Sequence, residues 1–408
     1  MKKSIKIYLV GGAVRDDILG RTTSDYDYVV VGASPKDMLD DGFIQVGKSF
    51  PVFLHPKTKD EYALARKEIK ITHGHTGFEF DSNPNISLEE DLYRRDFTIN
   101  AMAKSEDGKI YDFHRGLEDL KSKTLRHVSK HFVEDPLRVL RAARFASELN
   151  FDIANETIEL MKKISHSGEL QSLSGERVFN EIKKSLQSQN PWKFWEVLNL
   201  CDALEVLFPE LKSLQGVPQT KKYHPEGDVW IHTGLVLEAC AKLTDKIECR
   251  WAALTHDLGK SLTPKEDLPS HKGHEKTGLI PLKRLNEFLK VPNSWKVLSQ
   301  RVCEFHLLNH YINELTPKRI YKLFQEIGAF KDIQNLNDYT LCNTADIKGR
   351  GDFNKEYSQA SYLRQCFKYI QNKDYSEIIQ QHTGKELGIA LKQKKISYIK
   401  EFKENQSI

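Results

Sequence analysis

Apolar and polar positions alternate over the first sixty-odd residues in short runs that switch period. Ile5 to Val10 reads as a strand and Ala13 to Leu19 as a short helix closed by Gly20. Tyr28 to Val31 is a second, apolar strand. Ser34-Pro35 supplies an N-cap and a first-turn proline for a helix through Leu39, and Gly42 stops it. Strand-like runs follow at Phe43 to Val46, Val52 to His55 and Tyr62 to Ala65. This pattern predicts a small α/β sheet domain. Residues 67 to 86 are polar, contain Gly and Pro and have weak periodicity, which predicts a mobile loop. Ser87 followed by Glu90 is a capping box that opens a helix carrying Arg94, Arg95 and Asp96.

Beyond about residue 130 the strand signal is gone. Amphipathic helical patterns take over at Pro136 to Leu149, Glu156 to Ile164, Glu176 to Leu186 and Trp192 to Leu200, and continue to the end. A second break lies at Gly216-Val217-Pro218, ahead of a histidine-rich stretch. The sequence contains no internal repeat and no low-complexity tract.

A chain of 408 residues is too long for one ordinary core, which predicts two to four domains. Apolar residues make up 39%, enough for packed cores and against wholesale disorder. The net charge of +4 fits a polyanionic partner without requiring one. Met1-Lys2-Lys3 could open a signal peptide, but the apolar run Ile7 to Val14 is broken by glycines and ended by Arg15, Asp16 and Asp17. No stretch approaches the ~20 apolar residues that span a bilayer. A cytoplasmic protein is expected. The cysteines Cys201, Cys240, Cys249, Cys303, Cys342 and Cys366 form no CxxC pair and are expected to be reduced and mostly buried.

Five constellations carry chemistry, four of them in the first half of the chain. Gly11-Gly12-Ala13-Val14-Arg15-Asp16 sits between a strand and a helix, where glycines let the backbone approach a triphosphate and a helix N-terminus favours anions. On its own, such a turn is as readily structural. Asp25-Tyr26-Asp27 opens the next strand, so both carboxylates face one way at a separation suited to a shared divalent cation. A lone DxD is usually solvated surface; its place just after the Gly-Gly turn favours the metal reading. The third run, Asp91 to Ala101, concentrates Arg94, Arg95, Asp96 and Asn100 on one element. It is an exposed charged turn or a set of phosphate and ribose contacts. In the fourth, Glu134 to Arg144, Asp135 and Arg138 adjoin on one turn, and Arg138, Arg141 and Arg144 form a slanting ridge. That is a surface salt bridge, or acceptors and planar donors matched to the polar edge of a base.

Taken together, these residues resemble the class II tRNA nucleotidyltransferases, the CCA-adding enzymes of the poly(A) polymerase superfamily. GGAVRD, the DxD, RRDFTINAMA (94 to 103), DFHRG (112 to 116) and EDPLRVLRAARF (134 to 145) stand in the family's order and approximate spacing. Arg177-Val178-Phe179-Asn180-Glu181 looks like its last motif. The resemblance implies that Asp25 and Asp27 are catalytic and hold two Mg²⁺ ions. It implies that Gly12 and Arg15 hold the triphosphate, and that Arg95 and Asn100 contact phosphate and ribose. Asp135 and Arg138 would pair with the Watson–Crick edge of C or A, while Arg141 and Arg144 complete the nucleotide pocket. Glu61, which begins EYALAR, is a further carboxylate candidate.

The fifth constellation is histidine-rich: His232, then Thr255-His256-Asp257-Leu258-Gly259-Lys260, then His271, His274, His306, His310 and Asp346. Adjacent His-Asp at a helix end with further histidines can enclose one or two divalent metals. Singly, each histidine is an ordinary core or surface group. The run resembles the HD phosphohydrolase domain found in the bacterial branch of the same enzymes. That resemblance implies metal ligands at His232, His256, Asp257 and Asp346, with His274 and His306 as further candidates. Imidazole suits a transition metal such as Ni²⁺ or Co²⁺. It also implies activity towards 2′,3′-cyclic phosphate, 2′-nucleotide and phosphate groups; a degenerate HD fold that only binds RNA is the bland alternative. The basic C-terminal segment KQKKISYIKEF is a tRNA-backbone contact or a plain solvated face.

The expected class is α+β: a nucleotidyltransferase head (1–130) with a mixed sheet, a helical nucleotide-selecting neck and body (131–225), an HD domain (226–330) and a helical C-terminal tRNA-binding region (331–408). The expected reaction is addition and repair of the 3′-terminal CCA of tRNA from CTP and ATP. The competing readings are a poly(A) polymerase, an RNA-end phosphohydrolase with a nucleotide-binding head, and a non-catalytic RNA-binding module.

Overall fold

The computed structural model describes residues 5–23, 25–46, 52–70, 78–81, 83–351, 353–354 and 356–406. They divide into two compact units, one of residues 1–185 with 193–207 and one of residues 186–192 with 208–408.

The first unit begins with β1 (Lys6–Val10), α1 (Gly12–Ile18), β2 (Asp27–Val31), α2 (Pro35–Asp40), β3 (Ile44–Val46), β4 (Val52–Leu54) and β5 (Glu61–Leu64). There follow β6 (Lys67–Lys70), β7 (Phe78–Asp81), α3 (Leu88–Tyr93), β8 (Met102–Ser105), β9 (Ile110–Asp112), α4 (Gly116–Lys121) and β10 (Thr124–Leu125). Then come α5 (Leu137–Leu149), β11 (Asp152–Ile153), α6 (Asn155–His166), α7 (Gly175–Leu186), α8 (Trp192–Leu200) and α9 (Ala203–Leu207).

Seven strands form one mixed sheet in the order β3-β4-β5-β2-β1-β8-β9. Every neighbour is antiparallel except β2 and β5, which run parallel. Alternation along β2 fills both faces. Val29 packs with Tyr8, Val10, Leu92 and Ala103, and Val30 packs with Ala33, Met38, Phe53 and Leu64. The caps read from sequence are present. Ser34 and Asp37 bond reciprocally at the start of α2, as do Ser87 and Glu90 at the start of α3. Gly20 and Gly42 take the positive φ that ends a helix turn.

Two expectations need correction. The segment 67 to 86 is not all loop: β6 and β7 pair as an antiparallel ribbon, and residues 71–77 and 82, on which the expected mobility also falls, lie outside the described residues. Its hydrophobic positions are too few for a period to emerge. Strand structure also does not quite end at 130, because β11 pairs in parallel with β10.

The named elements of the second unit are helices, beside one isolated antiparallel bridge of Pro218 with Asp228: α10 (Pro209–Lys212), α11 (Val229–Leu243), α12 (Ile247–Thr255), α13 (His274–Thr277), α14 (Leu279–Phe288) and α15 (Asn293–His310), then α16 (Pro317–Glu326), α17 (Ile333–Lys348), α18 (Ser358–Gln371), α19 (Ser376–Gln381) and α20 (Gly384–Gln406). Phe324, Phe367, Tyr339, Ile399 and Leu336 are buried at its centre, each contributing roughly 1.5–3 kcal/mol of transfer free energy. Arg250 is fully buried because its guanidinium is spent on backbone carbonyls, those of Leu186 (2.6 Å), Ser188 (2.9 Å) and Ala241 (3.0 Å). All six cysteines are free and buried, as expected.

Candidate functional site

In the first unit the register of the sheet gathers charge at one end. Val10 pairs with Asp27, and Asp27 pairs with Glu61, so the Gly-Gly turn after β1 and two carboxylates share an edge. Asp25 lies just before the strand rather than in it, in a turn where its N–H meets Thr23 Oγ1 at 3.3 Å. Asp25, Asp27 and Glu61 nonetheless line the same cleft of about 740 Å³. None of the three makes a side-chain ion pair among the described residues. Burial raises the Asp27 carboxyl above its ordinary value and the charges of Asp25 and Glu61 add to this, with Arg95 opposing. Carboxylates along one cleft offer oxygen donors to a hard divalent cation, although these three do not bring their oxygens within 4.8 Å of one another as the histidine groups of the second unit do. Glu61, only a candidate from sequence, is placed here by strand pairing.

The glycine turn has a geometric reason. Gly11 has φ 72°, and a Cβ there would approach Arg95 Nη1 to 3.2 Å. Arg15 is buried and braces rather than reaches: Nη1 donates to Asn100 Oδ1 (2.7 Å), while Nε and Nη2 grip Asp16 (2.9 Å each). Gly12, Arg15, Arg95 and Asn100 all line the cleft. Two residues without an assigned role turn out to organise it. Asp91, fully buried, accepts from Arg94 (2.7 Å) and Arg95 (3.3 Å). Asp96 accepts from Arg141 Nε (2.7 Å) and from the Phe97 N–H (2.8 Å). Burial would raise the Asp96 carboxyl, but Arg141 and Arg138 overcome it and hold it at about 2.

Asp135, Arg138, Arg141 and Arg144 all face the same cleft, as the helical ridge predicts. The side chains of Asp135 and Arg138 do not pair with each other, however; the Arg138 N–H donates to the Asp135 carbonyl at 3.0 Å. Asp135 is bound by Arg177 Nη2 at 3.2 Å. Arg138 donates to the carbonyls of His131 (2.6 Å) and Arg94 (2.8 Å). Arg144 is held by Glu181 (2.5 Å) and Glu148 (2.7 Å) and lies 3.8 Å from the Phe145 ring centroid. Arg177, whose motif sequence reading noticed without a role, lines the cleft too, and its Nη1 is buried without a hydrogen-bond partner. Arg95 Nε is in the same condition. Donors left unsatisfied in a cleft call for an acceptor from outside the chain.

In the second unit, His232 (α11), His256 at the end of α12, Asp257, His274 (α13), His306 (α15) and Asp346 (α17) come together with at most 6% exposure. His232 Nε2 is 3.2 Å from Asp346 and 3.6 Å from Asp257, and His256 Nε2 is 3.2 Å from Asp257. His274 and His306 face the other oxygen of Asp257 at 3.2 and 3.6 Å. His232, His256 and Asp346 form one group with ligand geometry, and Asp257, His274 and His306 another.

The tautomers explain why these rings converge. His256 Nδ1 bonds the Ala253 carbonyl (2.8 Å), His274 Nδ1 that of His271 (2.6 Å), and His306 Nδ1 that of Cys303 (3.0 Å). Each carbonyl gives Nδ1 an acceptor, which turns each Nε2 inward. His274 Nε2 and His306 Nε2 meet at 3.1 Å, close enough to share a proton or a cation. Burial keeps His306 well below the ordinary imidazole value. Burial would raise Asp257 and Asp346, but His256 and Lys260 at the first, and Arg350 at the second, hold both well below the usual carboxylate range. Burial disfavours a proton on His256, yet Asp257 beside it raises the ring above its usual value. The residues fit a divalent metal. Gly259 makes the fold possible here, since a Cβ would lie 2.0 Å from the His274 carbonyl.

His310 joins through Asp346 (2.7 Å), whereas His271 stays outside, bound to the Pro218 carbonyl at 2.9 Å. Sequence reading missed the outer partners: Lys260, 2.6 Å from Asp257, Arg350, 3.0 Å from Asp346, and Glu226 beside His232. The spacing of Asp346 and Arg350 by one helical turn was the available signal. A cleft of about 660 Å³ opens on this cluster, lined also by Tyr223, His224, Tyr311 and Tyr357.

Comparison with known proteins agrees with this geometry. Residues 7–126 match the Poly A polymerase head domain family, residues 150–215 the family described as the probable RNA and SrmB-binding site of polymerase A, and residues 229–324 the HD domain family. The fold and its two sites define a nucleotidyltransferase head joined to an HD domain. The chain is 50% identical over 386 residues to the multifunctional CCA protein of Pasteurella multocida, covering 92% of each. It is 47% identical over 409 residues to that of Psychromonas ingrahamii, covering 99% of this chain and 100% of the relative. The chain belongs to the multifunctional CCA protein family. Its fold is shared by the Thermotoga maritima CCA-adding enzyme solved with tRNA (TM-score 0.66, 20% identity, 98% of this chain and 90% of that one). A CCA-adding enzyme solved with ATP is similar as well (TM-score 0.64, 20% identity, 97% and 86%).

Proposed function

We propose that this chain adds and repairs the 3′-terminal CCA of tRNA, taking CTP and ATP and releasing pyrophosphate. The observation that carries the reading is the unpaired Asp25, Asp27 and Glu61 trio facing an arginine-lined cleft. Asp25 and Asp27 hold Mg²⁺. Bound Mg²⁺ supplies charge neutralisation at the phosphates and acidifies an attacking hydroxyl. The tRNA 3′-hydroxyl releases its proton to solvent as its oxygen forms a bond to the α-phosphorus, the bond from that phosphorus to the bridging oxygen breaks, and pyrophosphate leaves. The Gly11-Gly12 backbone and Arg95 take the triphosphate. Arg15 braces Asn100 at the ribose. Asp135 offers acceptors, and Arg138 and Arg177 donors, to the base edge. Arg141 and Arg144 shape the pocket.

The HD unit is proposed to hydrolyse 2′,3′-cyclic phosphates, 2′-nucleotides and phosphate esters with a transition metal such as Ni²⁺ or Co²⁺. His232, His256, Asp257 and Asp346 hold it, and His274 and His306 add a second group through Asp257. The head spans 1–130, the neck and body 131–225, the HD domain 226–330 and the C-terminal region 331–408. The site of action is the cytoplasm, which six free, buried cysteines support; no helix of the described residues is long and apolar enough to cross a membrane.

The test is incorporation of labelled CTP and ATP, separately and together, on tRNA lacking its terminal CCA and on tRNA ending in CC. Two C additions to the first, one A addition to the second and then arrest are expected. Unlimited extension with ATP alone favours a poly(A) polymerase, and no incorporation at all overturns the transferase reading.

A further inference from the structure

Three of the imidazoles around Asp257 are oriented by backbone carbonyls of their own helix or turn; His232 is not. The Val229 carbonyl, three residues earlier as in His256 and His274, already accepts from Thr233 Oγ1 at 2.8 Å. Instead His232 Nδ1 lies 2.7 Å from Glu226 Oε1, a close ion-pair contact that falls short of hydrogen-bond geometry. The Glu226 side chain is 5% exposed and that of His232 0%. The same Glu226 oxygen receives His224 Nδ1 at 3.0 Å, and His224 lines the cleft over the cluster. Glu226 Oε2 is buried with no hydrogen-bond partner, so Oε1 alone joins the carboxylate to His224 within the loop and to His232 beyond it.

The loop holding Glu226 is fixed by other bonds. Gly216 N–H donates to Asp228 Oδ2 (2.8 Å), Gln219 N–H to the Gly227 carbonyl (2.9 Å), and Gly227 N–H to the His224 carbonyl (3.0 Å). Asp228 also caps α11 through Ile231 N–H at 3.1 Å. The loop reaches the centre a second time, since Gln219 Oε1 accepts from Lys260 Nζ (2.6 Å), which in turn sits 2.6 Å from Asp257. Residues 216–228 precede the segment that matches the HD domain family, which begins at 229.

We infer that Glu226 is a positioning residue of the HD metal centre, fixing the tautomer and aim of His232, and that the 216–228 loop is a working part of that centre. The inference rests on reading His232 as a metal ligand. A carboxylate on the far nitrogen makes an imidazole a stronger donor than a carbonyl does, and removal of such a partner typically weakens metal binding by about 10- to 100-fold.

The test is titration of chelator-stripped full-length chain with Ni²⁺ in excess Mg²⁺, for wild type, Glu226→Ala, Glu226→Gln and His256→Ala. Wild type should bind far more tightly than His256→Ala. Glu226→Ala should weaken binding by about 10- to 100-fold and Glu226→Gln, isosteric but uncharged, by about 10-fold. Phosphodiesterase activity of both Glu226 variants should be recovered at high Ni²⁺ without change in nucleotide incorporation, a rescue that a merely structural role would not give. If wild type binds no better than His256→Ala, the metal reading itself fails. If wild type binds tightly and Glu226→Gln stays within about threefold of it, Glu226 has no positioning role; this variant decides even if Glu226→Ala does not fold.

Discussion

The two units meet one physical problem in opposite ways. Each must hold several like-charged or lone-pair-bearing groups close together. The head leaves Asp25, Asp27 and Glu61 exposed at the end of a sheet, unpaired, and surrounds them with arginines that are themselves tethered to Asp91, Asp96, Asp135 and Glu181. The HD unit buries its candidate ligands and gives them partners: a carbonyl for three imidazoles, Glu226 for the fourth, and Lys260 or Arg350 for the carboxylates. An open carboxylate cleft suits a hydrated hard cation that arrives with a triphosphate, whereas a buried nitrogen-rich cage suits a softer resident metal.

Metal removal and replacement should separate the two most sharply. Chelation should abolish both nucleotide incorporation and phosphodiesterase activity. Adding back Mg²⁺ should restore the first, and Ni²⁺ or Co²⁺ the second, each measured on the same preparation. Restoration of phosphodiesterase activity by Mg²⁺ alone would erase the contrast.

The next effect is confined to the head. Arg177→Ala removes a donor that holds Asp135 and has a free buried nitrogen in the cleft. Loss of a charged hydrogen bond of about 1.5–3 kcal/mol predicts a KM for CTP and ATP raised roughly 10- to 100-fold, read from steady-state incorporation. An unchanged KM for both nucleotides would remove Arg177 from the pocket.

The smallest effect concerns stability. Asp96 is held at about 2 in the folded chain, below its ordinary value of 3.8. A depressed carboxylate contributes stability above its unfolded pKa and loses it as pH falls through the folded one. At about 1.36 kcal/mol per pKa unit this amounts to about 2 kcal/mol at pH 7. Asp96→Asn should therefore melt below wild type at neutral pH, and the gap should close between about pH 4 and pH 2. A gap independent of pH would show that charge is not the cause.

Local features of this fold were legible in the sequence because neighbouring residues set them. The capping boxes at Ser34 and Ser87 and the four long helices from Pro136 to Leu200 are of this kind. Asp25 and Asp27 could be read as a pair because only one residue separates them. Glu61 joined them only when the parallel pairing of β2 with β5 was seen, a contact no local pattern encodes. The same holds for Asp96 with Arg141, and for Asp135, which binds the distant Arg177 instead of its neighbour Arg138. The ribbon of β6 and β7 was read as loop because its polar composition outweighed a faint alternation. In the HD unit the ligands stood out as His and Asp, while Glu226 and Lys260 looked like ordinary charges until their distances were known.

The central claim is that two chemically distinct centres run separate reactions in one chain. Assaying Asp25→Ala and His256→Ala side by side, for CTP and ATP incorporation and for 2′,3′-cyclic phosphate hydrolysis, tests it most directly. The account predicts that Asp25→Ala loses incorporation and keeps hydrolysis, and that His256→Ala does the reverse. Retained incorporation in Asp25→Ala, or loss of both activities in either variant while it remains folded, would contradict it.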